Sequence, residues 1–290
     1  MKLKPEWKPG YPLKGLTTFR IGGEAEYFFA PENITQLSQA LRQAKADGLA
    51  VFILGRGSNV LIAADRLRGL VIKLGSPDFK KISLRGRSLC AGAGSGLAQV
   101  LKTALENSLA GFEFSAGIPG TVGGALAMNA GIPGKCIFDL LEEATVMDYN
   151  GRVKILKREK IKFSYRRSGL EKYIILAARF KLRPGTKEKI RRMIKRYLVI
   201  RKAGQDGKNF SAGCVFKNPL ADPPAGKLID LCGLKGRRNG GAQISRIHAN
   251  FIINRDNAKA GDVLALMKLA SGRVKNRFGI ALEPEIKIWQ

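Results

Sequence analysis

The stretch 117–131, which reads Gly-Ile-Pro-Gly-Thr-Val-Gly-Gly-Ala-Leu-Ala-Met-Asn-Ala-Gly, constrains this chain more than any other. It holds five glycines and one proline in fifteen residues without a charge. Glycine admits positive φ and lets a ligand approach the backbone, while proline fixes φ at one point of the same turn. Side chains this small cannot fill a sheet core, and a surface linker would carry Ser, Lys or Glu. Two readings remain: a tightly packed structural turn, or a backbone-lined cradle for something large and flat or phosphorylated. Composition favours the cradle.

A second turn carries the same ambiguity. Residues 51–54 read as a buried strand that runs into Gly55-Arg56-Gly57-Ser58-Asn59. Successive N–H groups in such a turn can form an anion nest. A plain strand-to-strand turn fits equally well. The G-x-G-x-x-G fingerprint is incomplete, because the third glycine is missing and Val60-Leu61-Ile62 looks like strand rather than helix.

The periodicities around these turns predict a mixed α and β chain. Asn33 caps a helix with Gln36 three residues on, with Ile34, Leu37, Leu41 and Ala44 inward and Gly48 at its end. Strands are expected at 27–30, 70–74 and 173–182. Hairpins pair 82–84 with 89–91 and, across Asn150-Gly151, 144–149 with 153–156. A helix covers 94–107. A basic helix over 187–202 sets Ile190, Met193, Ile194 and Leu198 on one stripe. The chain becomes glycine-rich again near residue 200. A short helix at 226–231, a block at 248–254 ending in strand, a helix from Gly261 to Val274 and a closing strand at 282–288 follow. Strand alternation puts Glu283 and Glu285 on one face.

A length of 290 residues suits two or three domains. The first ten residues contain no apolar h-region, so no signal peptide is expected, and no apolar run is long enough to span a membrane. Cys90, Cys136, Cys214 and Cys232 are widely spaced without C-x-x-C, which fits a reduced cytoplasm. His248 is the one histidine, so no metal site is expected. The net charge of +28 attracts nucleic acid, anionic membranes or phosphorylated small molecules. Its lysines and arginines are spread along the chain rather than gathered with aromatics in a module, which favours an anionic substrate over nucleic acid.

Six blocks, taken in order, carry a resemblance: Thr17-Thr18-Phe19-Arg20-Ile21-Gly22-Gly23, Leu54-Gly55-Arg56-Gly57-Ser58-Asn59, the run 117–131, Tyr165-Arg166-Arg167-Ser168, Ala212-Gly213-Cys214-Val215-Phe216-Lys217-Asn218-Pro219 and Glu283-Pro284-Glu285-Ile286. Together they resemble the UDP-N-acetylenolpyruvoylglucosamine reductase family of peptidoglycan precursor synthesis. The resemblance implies an α+β protein. Its FAD-binding region, of the vanillyl-alcohol-oxidase/PCMH type, would comprise subdomains at 1–74 and 75–186, followed by an α+β UDP-sugar domain at 187–290. It implies a cytoplasmic enzyme that uses FAD and NADPH, acts as a monomer and does not insert in membranes. The implied cycle is ping-pong: NADPH reduces FAD and leaves, then the enolpyruvyl ether of UDP-GlcNAc accepts hydride and a proton to become UDP-N-acetylmuramate.

Site residues carry over by position. Arg166 and Glu285 match the family's catalytic arginine and glutamate. Cys214 stands where much of the family has a proton-donating serine, and a thiol can donate in the same geometry. Gly55, Gly57, Ser58, Asn59, Gly120, Thr121, Gly123, Gly124 and Asn129 would line the FAD site. Lys202, Lys217, Asn218 and His248 match positions on the UDP-sugar side. Few residues separate Ser168 from the next strand, so the chain resembles the shorter form of the family, without the tyrosine-bearing lid. Another FAD oxidoreductase of the same fold, or a basic nucleic-acid-binding protein, are the alternatives.

Overall fold

The computed structural model describes residues 6–207, 209–220 and 222–290. The chain forms two compact units. The first contains the chain up to Pro9, Glu26–Arg56 and Arg68–Ile200; the second contains Gly10–Ala25, Gly57–Leu67 and Arg201–Gln290. Each has its own apolar core.

In the first unit, helix α1 (Ile34–Ala46) starts at Asn33, whose side chain accepts from Gln36 N at 3.0 Å. The Gln36 side chain reaches back to Glu32 N at 2.8 Å. Leu37, Ala40, Leu41 and Ala44 are buried. Ile34, expected inward, is 45% exposed: it stands at the first helical position, and the buried stripe begins at Leu37. Helix α2 (Leu97–Glu106) buries Leu97, Val100, Leu101 and Ala104, and α3 (Val122–Ala127) buries Val122, Ala125 and Leu126. They pack with an antiparallel sheet of order Val153–Lys157, Leu141–Met147, Ile174–Lys181, Ser88–Gly92, Ile82–Arg85.

Two further details of this unit differ from expectation. The hairpin at Asn150-Gly151 closes through five residues, 148–152, because Met147 faces Val153. Asp148 Oδ1 accepts from the N–H groups of Asn150 and Arg152 at 3.0 Å each and so organises the wider turn. In α4 (Lys187–Gly204), Ile190 is buried and Ile194 and Tyr197 pack on the first core. Leu198, assigned to that stripe, is 45% exposed, since Tyr197 takes the inward position two turns after Ile190.

In the second unit an antiparallel sheet runs in the order Phe210–Cys214, Phe251–Asn254, Ala242–Ile244, Arg238–Asn239. Helices α5 (Ala225–Leu231) and α6 (Ala260–Phe278) contribute Leu228, Ile229, Val263 and Leu266 to its core. Helix α6 outlasts the expected Val274 and ends at Gly279 with φ +71°. Strands Val60–Ile62 and Lys287–Trp289 pair in parallel. The expected strand over 282–288 therefore shrinks to this last piece. Upstream, Pro284 makes one isolated bridge to Phe216, because proline has no N–H with which to extend a ladder.

Candidate active site

Two parallel strands position the first glycine turn. Val51–Ile53 pairs with the end of Arg66–Ile72, with Ile53 opposite Ile72. Gly55 thus follows one carboxyl end and Lys73 the other, and Lys73 Nζ donates to Gly55 O at 2.9 Å. A Cβ at Gly55 would lie 2.8 Å from Thr121 Oγ1, so the two glycine-rich turns meet where there is no room for a side chain. Thr121 caps α3, its Oγ1 accepting from Gly124 N at 3.3 Å. Gly120 O accepts from Leu97 N at 3.0 Å, and Gly123 N donates to Ala93 O at 2.9 Å. A Cβ at Gly123 would sit 3.0 Å from that of Ala93. The run 117–131 is therefore partly the packed turn that composition left open.

The end of this run anchors the hairpin that carries Arg166. Phe163–Ser164 and Arg167–Ser168 pair, leaving Tyr165 and Arg166 at the tip, with Arg166 at φ +56°. Asn129 Nδ2 donates to Ser164 O at 2.9 Å, Ser168 Oγ to Ala127 O at 3.1 Å and Arg166 Nη1 to Gly131 O at 3.3 Å. Asn129 is itself left-handed at φ +42°, and its buried Oδ1 has no partner. The first unit thus brings Arg166 to Asn129 and Gly131, and Gly55 to Thr121 and Gly124.

In the second unit the Cys214 segment is built by an irregularity. Ser211 faces Ile253 and Cys214 faces Phe251, a register shift with Gly213 at φ +77°. Such a bulge re-aims the side chain that follows it. Asn250 then fixes the segment: Val215 N donates to Asn250 O at 2.8 Å, Phe216 N to Asn250 Oδ1 at 3.0 Å, and Asn250 Nδ2 to Phe216 O at 2.8 Å. Glu285 N donates to Val215 O at 2.8 Å, so Cys214 and Glu285 ride on adjoining segments. Asn59 Nδ2 donates to Glu285 O at 3.1 Å, and Asn59 O accepts from Lys287 N at 2.9 Å.

Glu283 and Glu285, expected on one face, differ in surroundings. Glu283 is exposed and meets Lys217 Nζ at 2.6 Å, whereas Glu285 is half-buried. The reason is that these residues are not in a strand, so alternation does not apply. Gly57, at φ +64°, accepts from Thr18 N at 3.1 Å, and a Cβ there would lie 2.5 Å from Leu16 O. Ser58 is half-buried in the same turn. Asn218 Oδ1 accepts from Ala225 N at 3.2 Å, at the start of α5. Lys202 is exposed in the last turn of α4, and no described contact joins it to the other candidates.

His248 Nδ1 accepts from Asn250 N at 3.1 Å, and the ring lies 5.0 Å from that of Phe251. Burial, then the charge of Lys235, pushes its pKa below the ordinary value. With Nδ1 accepting, the proton of the neutral ring belongs on Nε2. Sequence reasoning did not single out Asn250, Ser168 or Lys73. The first two sit inside or beside quoted blocks, but nothing in their sequence neighbourhood announces a buried amide or hydroxyl tied to backbone.

The first unit suits FAD on its own observations. Its glycine turns touch where no Cβ fits, and two fully buried polar atoms, Asn129 Oδ1 and Ser95 Oγ, find no partner among the described residues. Among the described residues, no group of three or more His, Cys, Asp or Glu could hold a metal ion. No helix is long and apolar enough to cross a membrane.

Comparison with known proteins agrees with this organisation. Residues 25–157 match the family described as FAD binding domain, and 205–289 match the UDP-N-acetylenolpyruvoylglucosamine reductase C-terminal domain. A UDP-N-acetylenolpyruvoylglucosamine reductase of Moorella thermoacetica is 41% identical over 279 residues, which is 96% of this chain and 91% of the relative. One from a Synechocystis species is 41% identical over 286 residues, covering 97% and 90%. The crystal structure of such a reductase from Thermus caldophilus superposes with a TM-score of 0.84 at 36% identity, covering 98% of both chains. The expected α+β architecture, with a PCMH-type FAD-binding region and a reductase C-terminal domain, is present. The chain belongs to the UDP-N-acetylenolpyruvoylglucosamine reductase family.

Proposed function

We propose that this protein reduces UDP-N-acetyl-3-O-(1-carboxyvinyl)-glucosamine to UDP-N-acetylmuramate with NADPH, in the cytoplasm and as a monomer, supplying peptidoglycan synthesis. The observation that carries the reading is the backbone bond from Glu285 N to Val215 O, which joins the Glu285 segment to the segment of Cys214 in a member of this family. Gly55, Gly120, Thr121, Gly123, Gly124 and Asn129 would hold FAD, together with Gly57, Ser58 and Asn59. When bound, FAD supplies a two-electron carrier between NADPH and the enolpyruvyl double bond.

The chain's own residues handle charge and protons. Hydride addition at the distal vinyl carbon loads negative charge onto the carboxylate side, as an enolate. The planar Arg166 guanidinium suits that carboxylate, and Glu285 is assigned to help stabilise the developing charge. Cys214 Sγ–H delivers a proton to the carbon bearing the ether oxygen. A thiol is more acidic than the serine hydroxyl it replaces, so this transfer is within its range. The thiolate left behind is reprotonated from solvent before the next turnover. Lys202, Lys217, Asn218 and His248 are assigned to the UDP-sugar.

The test is a visible spectrum of the purified protein, repeated after anaerobic NADPH and again after the enolpyruvyl substrate. A flavin band that bleaches and then returns is the expected result. A bleach without return removes the substrate; a protein that takes up no FAD removes the enzyme reading altogether.

A further inference from the structure

We infer that Lys73 is the cation that meets the diphosphate of a bound dinucleotide at the Gly55 turn. The inference rests on the proposed binding of FAD there, and it adds residues outside the glycine motifs. Three observations converge. First, Lys73 is placed by topology: it directly follows Ile72, which pairs in parallel with Ile53, so Lys73 and the Gly55 turn leave the same carboxyl edge. Ligands of parallel sheets gather at that edge. Second, its reach is fixed, since Nζ is held 2.9 Å from Gly55 O, at the turn that abuts Thr121.

Third, the local charge is unbalanced. Lys73 is half-buried, and burial, then Lys80, then Arg56, all drive its pKa down. None of these cations has an ion-pair partner among the described residues. A half-buried ammonium pressed by two like charges is unfavourable until an anion joins it. A diphosphate ester carries two negative charges in a compact volume and relieves all three cations together. Ser95 directly precedes Gly96, which bridges to Thr121, and its buried Oγ finds no partner among the described residues.

The experiment titrates the full-length, deflavinated protein with FAD and with riboflavin, which has the ring and no phosphate, by quenching of flavin fluorescence. Lys73→Gln should raise the FAD Kd by about ten- to a hundredfold, the range of one charge-assisted hydrogen bond. Riboflavin binding should be unmoved, and Lys73→Arg should restore most of the FAD affinity. If Lys73→Gln weakens FAD and riboflavin equally, or neither, Lys73 is structural and the inference falls. If only the KM for NADPH rises in flavin-loaded protein, the cation serves the donor and the FAD assignment falls. Should the wild type take up no FAD, the functional reading fails separately. Inorganic diphosphate titrated by calorimetry against wild type and Lys73→Gln then decides the subsite: heat lost only in the variant sustains it, and no heat in the wild type overturns it.

Discussion

Asn250→Ala is the perturbation whose cost follows most directly from the geometry. The Asn250 side chain is 1% exposed and holds both backbone groups of Phe216, itself 2% exposed, at 3.0 and 2.8 Å. The backbone bonds of Asn250, to Val215 N and His248 Nδ1, survive the change. What is lost is confined to one buried N–H and one buried C=O, each left without a partner. Such groups cost about 1–3 kcal/mol apiece, so the total is about 2–6 kcal/mol. That is a large share of the roughly 5–15 kcal/mol that holds a protein folded. At about 2–4 °C per kcal/mol, the second unit should melt roughly 5–20 °C lower, measured by calorimetry. Because the same segment carries Cys214 and pairs with Glu285, turnover should fall even at temperatures where the variant is folded. A melting shift smaller than about 1 °C would refute the claim that Asn250 satisfies these groups, since either one alone exceeds it.

The other predictions are narrower. Ser168→Ala removes the 3.1 Å tie to Ala127 O that docks the Arg166 hairpin; kcat should drop about fivefold, worth about 1 kcal/mol, with an unchanged flavin spectrum. An altered spectrum would mean that the hairpin shapes the cofactor site instead. Glu283→Gln should cost less than about 1 kcal/mol in a thermal melt, because its ion pair with Lys217 is exposed on the Glu283 side, and should preserve turnover. Glu285→Gln should abolish turnover; equal effects from the two would erase the distinction drawn between them. For His248, the folded pKa lies below the ordinary 6.5. The unfolded chain therefore takes up the proton first, and stability should fall as pH drops below about 6.5. In His248→Gln, melts across that window should show a flatter pH dependence.

Legibility of the sequence tracked how local the physics was. The α1 start was readable because a cap is settled within four residues, and Asn33 accepting from Gln36 N is such a bond. The hairpin across Gly86 was readable for the same reason. The closing strand is shorter than the alternation of Leu282, Glu283, Glu285 and Ile286 suggests, because Pro284 has no N–H with which to extend a ladder. The helical stripe of α4 alone does not say whether Leu198 or Tyr197 meets the core, and Tyr197 does. In the candidate site, Arg166, Cys214 and Glu285 are legible as motif positions. What holds them was not, because Ser168, Asn129 and Asn250 act through backbone atoms 34 to 41 residues away in sequence.

The glycines make the point about motifs sharper. Gly57 looks like a phosphate-cradle residue, yet its requirement is met without any ligand: a Cβ would strike Leu16 O at 2.5 Å, and φ is +64°. Gly123 is likewise confined by Ala93. Only Gly55 is confined by the side chain of the other glycine-rich turn, Thr121. Glycine at 57 and 123 is thus dictated by the chain's own close packing, and a fingerprint built from these positions reports a backbone shape first. Backbone N–H groups of the turn can still meet an anion, but full charges must come from side chains beside it. In the first unit Lys73 is a half-buried cation without an ion-pair partner among the described residues, its pKa driven down by burial and then by Lys80 and Arg56, and it lies outside the glycine motif. A division follows in which glycines set the contour of the turn and lysines and arginine beside it set its affinity. Gly57→Ala should then cost folding stability, while Lys73→Gln should cost cofactor affinity at nearly constant stability.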